Sequence, residues 1–511
     1  MTDSRKAWTI LIVNTLAFTI CFMCWTTNGV LVTFLVDNGV YRWTPVQIGW
    51  LIGIPVLTGS LTRLPIGLLT DKYGGRPVYG LLLLCSSVLM YLQGEADSYF
   101  GFMLAGLGFG LTGASFAVGI AYTSVWFPKE KQGTALGIFG AGNAGSAITS
   151  MGAPHLLNWA TQQGANLEGW RVLPKVYALS LLLMGIVFFL FTENRVAPGA
   201  QNKSFTELLV PLKYPRVWRF GLYYFLVFGG FVALAQWLIP YYVNVYSMSV
   251  AMAGMTAAIF SLPSGVIRAL GGWLSDLWGA RAVMQWVLGL CLACFALLIV
   301  PRMDIWSPGT GIMAGAAGKI KEVGKDYIVL SSGRGDTRYP LRVKTGEAVS
   351  EAERDGSLLV LPKTASWQEP LVSAGDAVVK RQLLARGVTH VYFQANVWIF
   401  TFLVFVVGIA MGVGKAAVYR HIPDYFPNDV GVVGGMVGVL GGLGGFICPI
   451  IFGHLLGATG LWTTCWMFFL ALTLMCLVWM HIIVRRLMKA EAPAAVQHIE
   501  ENVFADIRKG A

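Results

Sequence analysis

Apolar runs of about 20 residues, the length that crosses a bilayer as an α-helix, recur along the chain. Twelve can be counted, near 8–35, 46–70, 77–94, 99–127, 133–157, 173–193, 217–245, 249–275, 282–301, 396–425, 431–456 and 461–486. The first is too long for a secretory signal peptide and has no small-residue cleavage pattern behind it, so it counts as a helix. Between the ninth and tenth runs the apolar pattern stops, over about 308–394. Short β-type runs stand there between turn signals, as at Tyr327–Leu330 and Ser357–Leu361. The pattern predicts an all-α polytopic membrane protein with twelve transmembrane helices and a small β-rich extramembrane insertion.

Polar residues inside the apolar runs expose a duplication. From Arg63 the chain reads RLPIGLLTDKYGGR, and from Arg268 it reads RALGGWLSDLWGAR. Both fit R-x3-G-x3-D-x2-G-x-R, so Gly67, Asp71, Gly74 and Arg76 are answered by Gly272, Asp276, Gly279 and Arg281. The chain therefore consists of two six-helix halves, each with one arginine at the same intramembrane place. A cation at bilayer depth costs roughly 2.5–3.5 kcal/mol on insertion scales and marks a functional site by default. Two related by the repeat point to a central site for an anion.

A second repeated pattern has Gly137 and Gly140 answered by Gly438 and Gly441. Its offset is 301 (438 − 137), against 205 (268 − 63) for the arginines. The difference sizes the insertion. The expected divisions are a first half over 1–193, a central loop over 194–216, helices seven to nine over 217–301, the insertion over 308–394, helices ten to twelve over 395–487 and a tail over 488–511. Within the insertion, VSAGDAVVKRQLLARG faintly resembles biotinyl-like barrel-sandwich modules, but Lys380 lacks their usual neighbours. A small β domain of accessory role is the expectation.

Composition agrees with a membrane protein: 56% of residues are hydrophobic, 12% are charged, and mean hydropathy is +0.63. Basic residues such as Lys72, Arg76, Lys129, Lys131, Lys213, Arg216 and Arg281 fall on one set of loops. By the positive-inside rule both termini are cytoplasmic and the insertion is periplasmic. The net charge of +11 is then a topology signal, and nucleic acid is not an expected partner. Residues 496–507 carry apolar positions at helical spacing, which predicts a short amphipathic helix. The eight cysteines all lie in the apolar runs, where they serve as small packing residues. No metal or cofactor site is expected, and His155, His421, His454 and His481, scattered near helix ends, form no catalytic cluster.

Gly140-Ala-Gly142-Asn-Ala-Gly145 matches a dinucleotide-binding fingerprint, but no strand precedes it. Glycines at this density, here and at Gly438, Gly441, Gly444 and Gly445, allow close helix packing. Packing does not account for Asn143, whose bland role is an interhelical hydrogen bond. Lys415, in GVGKAAVYR of the tenth run, answers to Ala114 and has no basic twin. It is about ten residues from the helix end, too deep for easy snorkelling.

The R-x3-G-x3-D-x2-G-x-R stretch resembles the signature loop of the major facilitator superfamily. There it acts as a conformational latch, with the arginines expected to reach partners across the halves. ALGIFGAGNAGSA (135–147) and VGVLGGLGGF (437–446) resemble the paired nitrate signatures of the superfamily's nitrate/nitrite porters. The resemblance implies that Arg63 and Arg268 grip nitrate, or nitrite, in a central cavity. Tyr224 and Asn143 hydrogen-bond it there, and Phe116, Phe228 and Gly113 line the site. A lysine at 415 resembles the proton-coupled importers, where exchangers carry a neutral polar residue. Burial and like charge both disfavour the ammonium, so Lys415 is expected to take a proton as the anion binds. The implied protein is a monomeric nitrate/proton symporter of a bacterial inner membrane. A nitrate/nitrite antiporter and a nitrate-binding sensor are the alternatives.

Overall fold

A computed structural model describes residues 3–196, 210–300, 303–333, 335–344, 363–393, 395–426 and 430–491. The expected amphipathic tail and the run Ser357–Leu361 lie outside these. The chain divides into two compact units, one of Met1–Ile299 with Thr401–Ala511 and one of Val300–Phe400.

Each of the twelve apolar runs is helical. Ten helices are long and apolar enough to cross a membrane, and the bent pair Val250–Val266 and Arg268–Trp278 makes an eleventh. The remaining segment, Lys129–Ala160, is helical throughout but rich in Gly, Ser and Asn. Small residues there lower hydropathy while letting neighbouring backbones approach. A Cβ at Gly145 would overlap the Thr19 carbonyl, and one at Gly142 would overlap the Phe18 ring.

Several helices break where the arginines sit. The second helix stops at Leu61 and restarts at Arg63, and the eighth stops at Val266 and restarts at Arg268. The linking residues share one conformation, Thr62 at φ −74°, ψ −9° and Ile267 at φ −69°, ψ −3°. The duplication thus preserves an interruption of the helix as well as a cation. Both helices end at a glycine with positive φ, Gly74 at +87° and Gly279 at +83°, a conformation that other residues adopt only with strain.

The halves meet tightly on the side of the arginines away from these loops. A Cβ at Gly49 would overlap the Pro449 carbonyl, one at Gly254 the Ser150 carbonyl, and one at Gly53 would lie 2.7 Å from the Phe446 carbonyl. On the loop side the packing differs: among the described residues, nothing beyond the helix itself lies within 4 Å of a Cβ at Gly67, Gly133 or Gly272.

The second unit is built of strands β1 (Met303–Met313), β2 (Gly318–Val323), β3 (Tyr327–Ser332), β4 (Gly335–Pro340), β5 (Lys363–Pro370), β6 (Ala377–Val378) and β7 (Leu383–Phe393). They form two antiparallel sheets, ordered β1-β7-β5 and β4-β3-β2-β6. Alternation along β3 buries Ile328 and Leu330 against Ile320, Leu341, Val378 and Leu384. The first strand starts at Met303, ahead of the boundary read at 308, because Met303–Ile305 pairs with Val391–Phe393. Lys380 stands exposed in the turn between β6 and β7.

Candidate functional site

The local breaks in helix geometry expose the atoms that form the site. The fourth helix tightens into a 3-10 turn at Gly110–Ala114, the fifth does so at Ala141–Ala144, and the seventh widens into a π turn at Phe225–Gly229. Such departures release carbonyls from the i→i−4 ladder and re-aim side chains, and π turns recur at functional sites.

Arg63 is 3% exposed. Its Nε donates to the Gly113 carbonyl at 3.3 Å and its Nη1 to the Gly438 carbonyl at 2.7 Å. Its Nη2 is buried without a partner. The guanidinium carbon stands 5.4 Å from the Phe116 ring centre, 5.1 Å from Phe228 and 5.6 Å from Trp25. Arg268, partly exposed, approaches the same Phe116 ring at 5.2 Å and the Tyr419 ring at 5.4 Å. Its Nη1 is also buried and unpartnered. The two cations converge on one ring, each with a bare N–H group and no carboxylate paired to it. Ring faces hold such cations at roughly 0.5–2 kcal/mol each, which offsets only part of the several kcal/mol that burying an unpaired ion costs.

Tyr224 and Phe228 stack at 4.9 Å, and Phe228 stacks on Phe116 at 6.2 Å. The Tyr224 hydroxyl is buried without a partner. Asn143 does not make the interhelical bond expected of it in a bland role. Its Nδ2 turns back to the Gly140 carbonyl at 2.8 Å, and Oδ1 is unpartnered. Of the signature glycines, Gly140 packs on the Arg268 side chain, Gly438 on Tyr419, Gly444 on Phe225 and Gly445 on Val232. Any Cβ at Gly441 would overlap the Tyr224 ring. Gly137 is half-buried.

Lys415 is 0% exposed. Its Nζ donates to the Ser264 Oγ at 3.0 Å and lies 3.1 Å from the Phe231 ring centre. Ser264 stands four residues before Arg268 on the eighth helix, so Lys415 touches the element that carries the second arginine. The repeat offsets place Ser264 opposite Gly59 (264 − 205) and Lys415 opposite Ala114 (415 − 301). A hydroxyl–ammonium pair in the second half thus stands where the first half has two small residues.

Sequence reasoning missed Trp25, Tyr419, Ser264 and Phe231. Tyr419 was within reach, being one helical turn from Lys415 and so on the same face. Its hydroxyl donates to the Gly434 carbonyl at 3.0 Å and its ring meets Tyr224 edge-on at 5.0 Å.

The loop residues depart from expectation. Arg76 does not reach across the halves; its Nη2 donates to the Phe189 carbonyl at 2.6 Å, within its own half. Asp276 pairs with Arg420 at 2.7 Å, again within one half. Among the described residues, nothing beyond the helix itself lies within 4 Å of a Cβ at Gly67 or Gly272. Among the described residues no three His, Cys, Asp or Glu side chains gather as a metal site.

The Major Facilitator Superfamily profile matches residues 14–318 and 383–509, interrupted only inside the strand-built unit. The chain belongs to the Major Facilitator Superfamily. The probable nitrate/nitrite antiporter NarK1 of Thermus thermophilus is 36% identical over 96% of this chain and 94% of its own. The probable nitrate transporter NarT of Staphylococcus epidermidis is 24% identical over 90% and 92%. The nitrite extrusion protein of Bacillus subtilis is 24% identical over 81% and 79%. Among solved structures, an inward-facing bacterial homologue of the lysosomal transporter Spinster superposes with a TM-score of 0.59 at 14% identity, covering 93% of this chain and 96% of its own. The nucleoside transporter NupG superposes with a TM-score of 0.57 at 12% identity, covering 93% and 99%.

Proposed function

We propose that this protein imports nitrate across a bacterial cytoplasmic membrane by alternating access, in symport with protons. The observation that carries this reading is the pair of arginines sharing the Phe116 ring, each with a bare buried N–H. A guanidinium offers coplanar donors and nitrate offers three coplanar oxygens, so paired in-plane hydrogen bonds form with little strain. One bound nitrate lowers the local charge from +2 to +1 and relieves the repulsion. Tyr224 supplies a further donor, and the Phe116 and Phe228 faces restrict the site to small flat ions. Nitrite fits the same frame with one oxygen fewer.

Lys415 is assigned the coupling role. Held by Ser264 and facing Phe231, it is shielded from water and from any carboxylate among the described residues. It takes a proton when the anion arrives. Nitrate and one proton then cross together without net charge. Nitrate alone would work against an interior-negative potential, at roughly 2.3 kcal/mol per charge per 100 mV. The basic loops support a reading with both termini in the cytoplasm and the strand-built unit outside, the protein acting as a monomer in lipid. With that orientation the tight packing at Gly49, Gly53 and Gly254 lies on the outer side.

The name of the Thermus thermophilus relative supports a second reading, exchange of nitrate for nitrite at the same arginines. Nitrate counterflow in proteoliposomes tests what the two readings share. Arg63→Ala and Arg268→Ala are each expected to abolish it. Counterflow at the unaltered rate in either variant would remove the arginines from the site.

A further inference from the structure

The eighth and tenth helices meet at the break that precedes Arg268. Along the tenth helix, Val397–Tyr425, a Cβ at Gly412 would lie 2.5 Å from the Ile267 side chain and 2.9 Å from the Ser264 carbonyl. Beyond the break, one at Gly271 would lie 2.6 Å from the Val413 carbonyl. Lys415 stands next along this contact. Its Nζ meets the Ser264 Oγ at 3.0 Å, the Ser264 carbonyl at 3.4 Å and the Phe231 ring centre at 3.1 Å. Ser264, like Lys415, is fully buried.

The first half makes the same helix contact without a hydroxyl or a cation. Gly59 answers to Ser264, and a Cβ there would lie 2.8 Å from the Gly113 Cα, next to Ala114, which answers to Lys415. Packing of the two helices therefore requires neither polar group. What distinguishes the hydroxyl is its chemistry toward an amine. A carbonyl oxygen and a ring face only receive an N–H, whereas a serine hydroxyl accepts from an ammonium and donates to the lone pair of a neutral amine. The charged group that acts on Lys415 is Arg268, on the eighth helix. At the adjacent Gly414 the seventh and ninth helices present Val227 and Val287, neither of which titrates, and one turn on along the tenth stands Tyr419.

We propose that Ser264 is the positioning residue for proton coupling, its hydroxyl holding Lys415 in both protonation states by reversing one hydrogen bond at the break that precedes Arg268. This rests on the reading of Lys415 as the proton carrier. The proton comes from the outer solution with the anion, adds to the Lys415 amine and leaves it on the inner side. The hydroxyl keeps its own proton throughout and only turns. Bonds to an ionised partner are roughly twice as strong as neutral ones, so the hydroxyl supports the ammonium more than the amine.

Proteoliposomes carrying the full-length protein test this with Ser264→Ala, Ser264→Thr and Ser264→Val. Nitrate accumulation is followed over a series of external pH values without internal nitrite, beside nitrate counterflow at equal pH and the melting temperature. Ser264→Ala is expected to move the pH profile of accumulation to lower external pH by about one unit, which is tenfold in proton affinity. Accumulation at neutral pH then falls about tenfold, and counterflow, which needs no net proton transfer, falls less than threefold. Ser264→Thr keeps a hydroxyl and should restore the profile, whereas Ser264→Val, of the same shape without one, should not. The threonine and valine variants also serve if Ser264→Ala does not fold. An unchanged pH profile in Ser264→Ala and Ser264→Val would overturn the proposal. So would equal losses of accumulation, counterflow and melting temperature that threonine does not restore, since those mark a packing role. No acid-driven accumulation by the unmutated protein would overturn the symport reading, and this proposal with it.

Discussion

The Nη1 of Arg63 donates to the Gly438 carbonyl at 2.7 Å, a bond that ties the first half of the chain to the second across the site. The same guanidinium holds the Gly113 carbonyl through Nε and keeps Nη2 free. Lysine retains the charge but cannot serve three directions in one plane. Arg63→Lys is expected to cut nitrate uptake by roughly 10–100-fold, the worth of one charge-assisted hydrogen bond at about 1.5–3 kcal/mol. Initial uptake rates at saturating nitrate check this, and a fall of less than threefold would count against it.

Tyr224 gives a sharper separation of binding from stability. Its hydroxyl has no partner among the described residues, so Tyr224→Phe removes no hydrogen bond of the fold. The melting temperature should stay within a degree or two. The nitrate KM should rise about tenfold, as expected for loss of one hydrogen bond to an anion. A large fall in stability with unchanged KM would mean that the hydroxyl is structural.

Among the described residues nothing beyond the helix itself lies within 4 Å of a Cβ at Gly67 or Gly272, and alternating access requires that side to close in the opposite state. Leucine at either position fits the described state and obstructs the opposite one. Gly67→Leu and Gly272→Leu should therefore bind nitrate with near-normal affinity and fail in counterflow. Binding by scintillation proximity and counterflow on the same preparations distinguish the two effects. Normal counterflow would show that these loops do not close.

The strand-built unit has its own core around Ile328 and Leu330. Leu330→Asp places an unpaired charge in it, at a cost of several kcal/mol, and should unfold that unit alone. Uptake is expected to be unchanged, as is uptake after excision of residues 303–393. Lost uptake in both variants would give the insertion a part in transport.

Much of the membrane architecture was legible because the bilayer forces long apolar runs, and because duplication makes Arg63 and Arg268 read as one feature seen twice. The edges of the insertion were less legible: Met303–Ile305 lies between the ninth apolar run and the boundary read at 308, and its pairing with Val391–Phe393 assigns it to a strand. At the site, Phe116, Phe228 and Tyr224 cluster about the arginines, yet Trp25 and Tyr419 were invisible among the many aromatic residues of the chain. Their role depends on which face each helix turns inward, and in a membrane protein apolar residues cover every face. Arg76 was misread because a loop motif specifies charges without specifying the conformational state in which they meet.

The most direct test of the account is nitrate accumulation in proteoliposomes with an acidic exterior, no internal nitrite, and Lys415→Ala beside the unmutated protein. The account predicts accumulation by the unmutated protein, and none by the variant, which retains downhill nitrate exchange. Accumulation by Lys415→Ala equal to that of the unmutated protein would contradict the lysine's role. Uptake by the unmutated protein only when nitrite is trapped inside would contradict proton symport itself and leave exchange as the function.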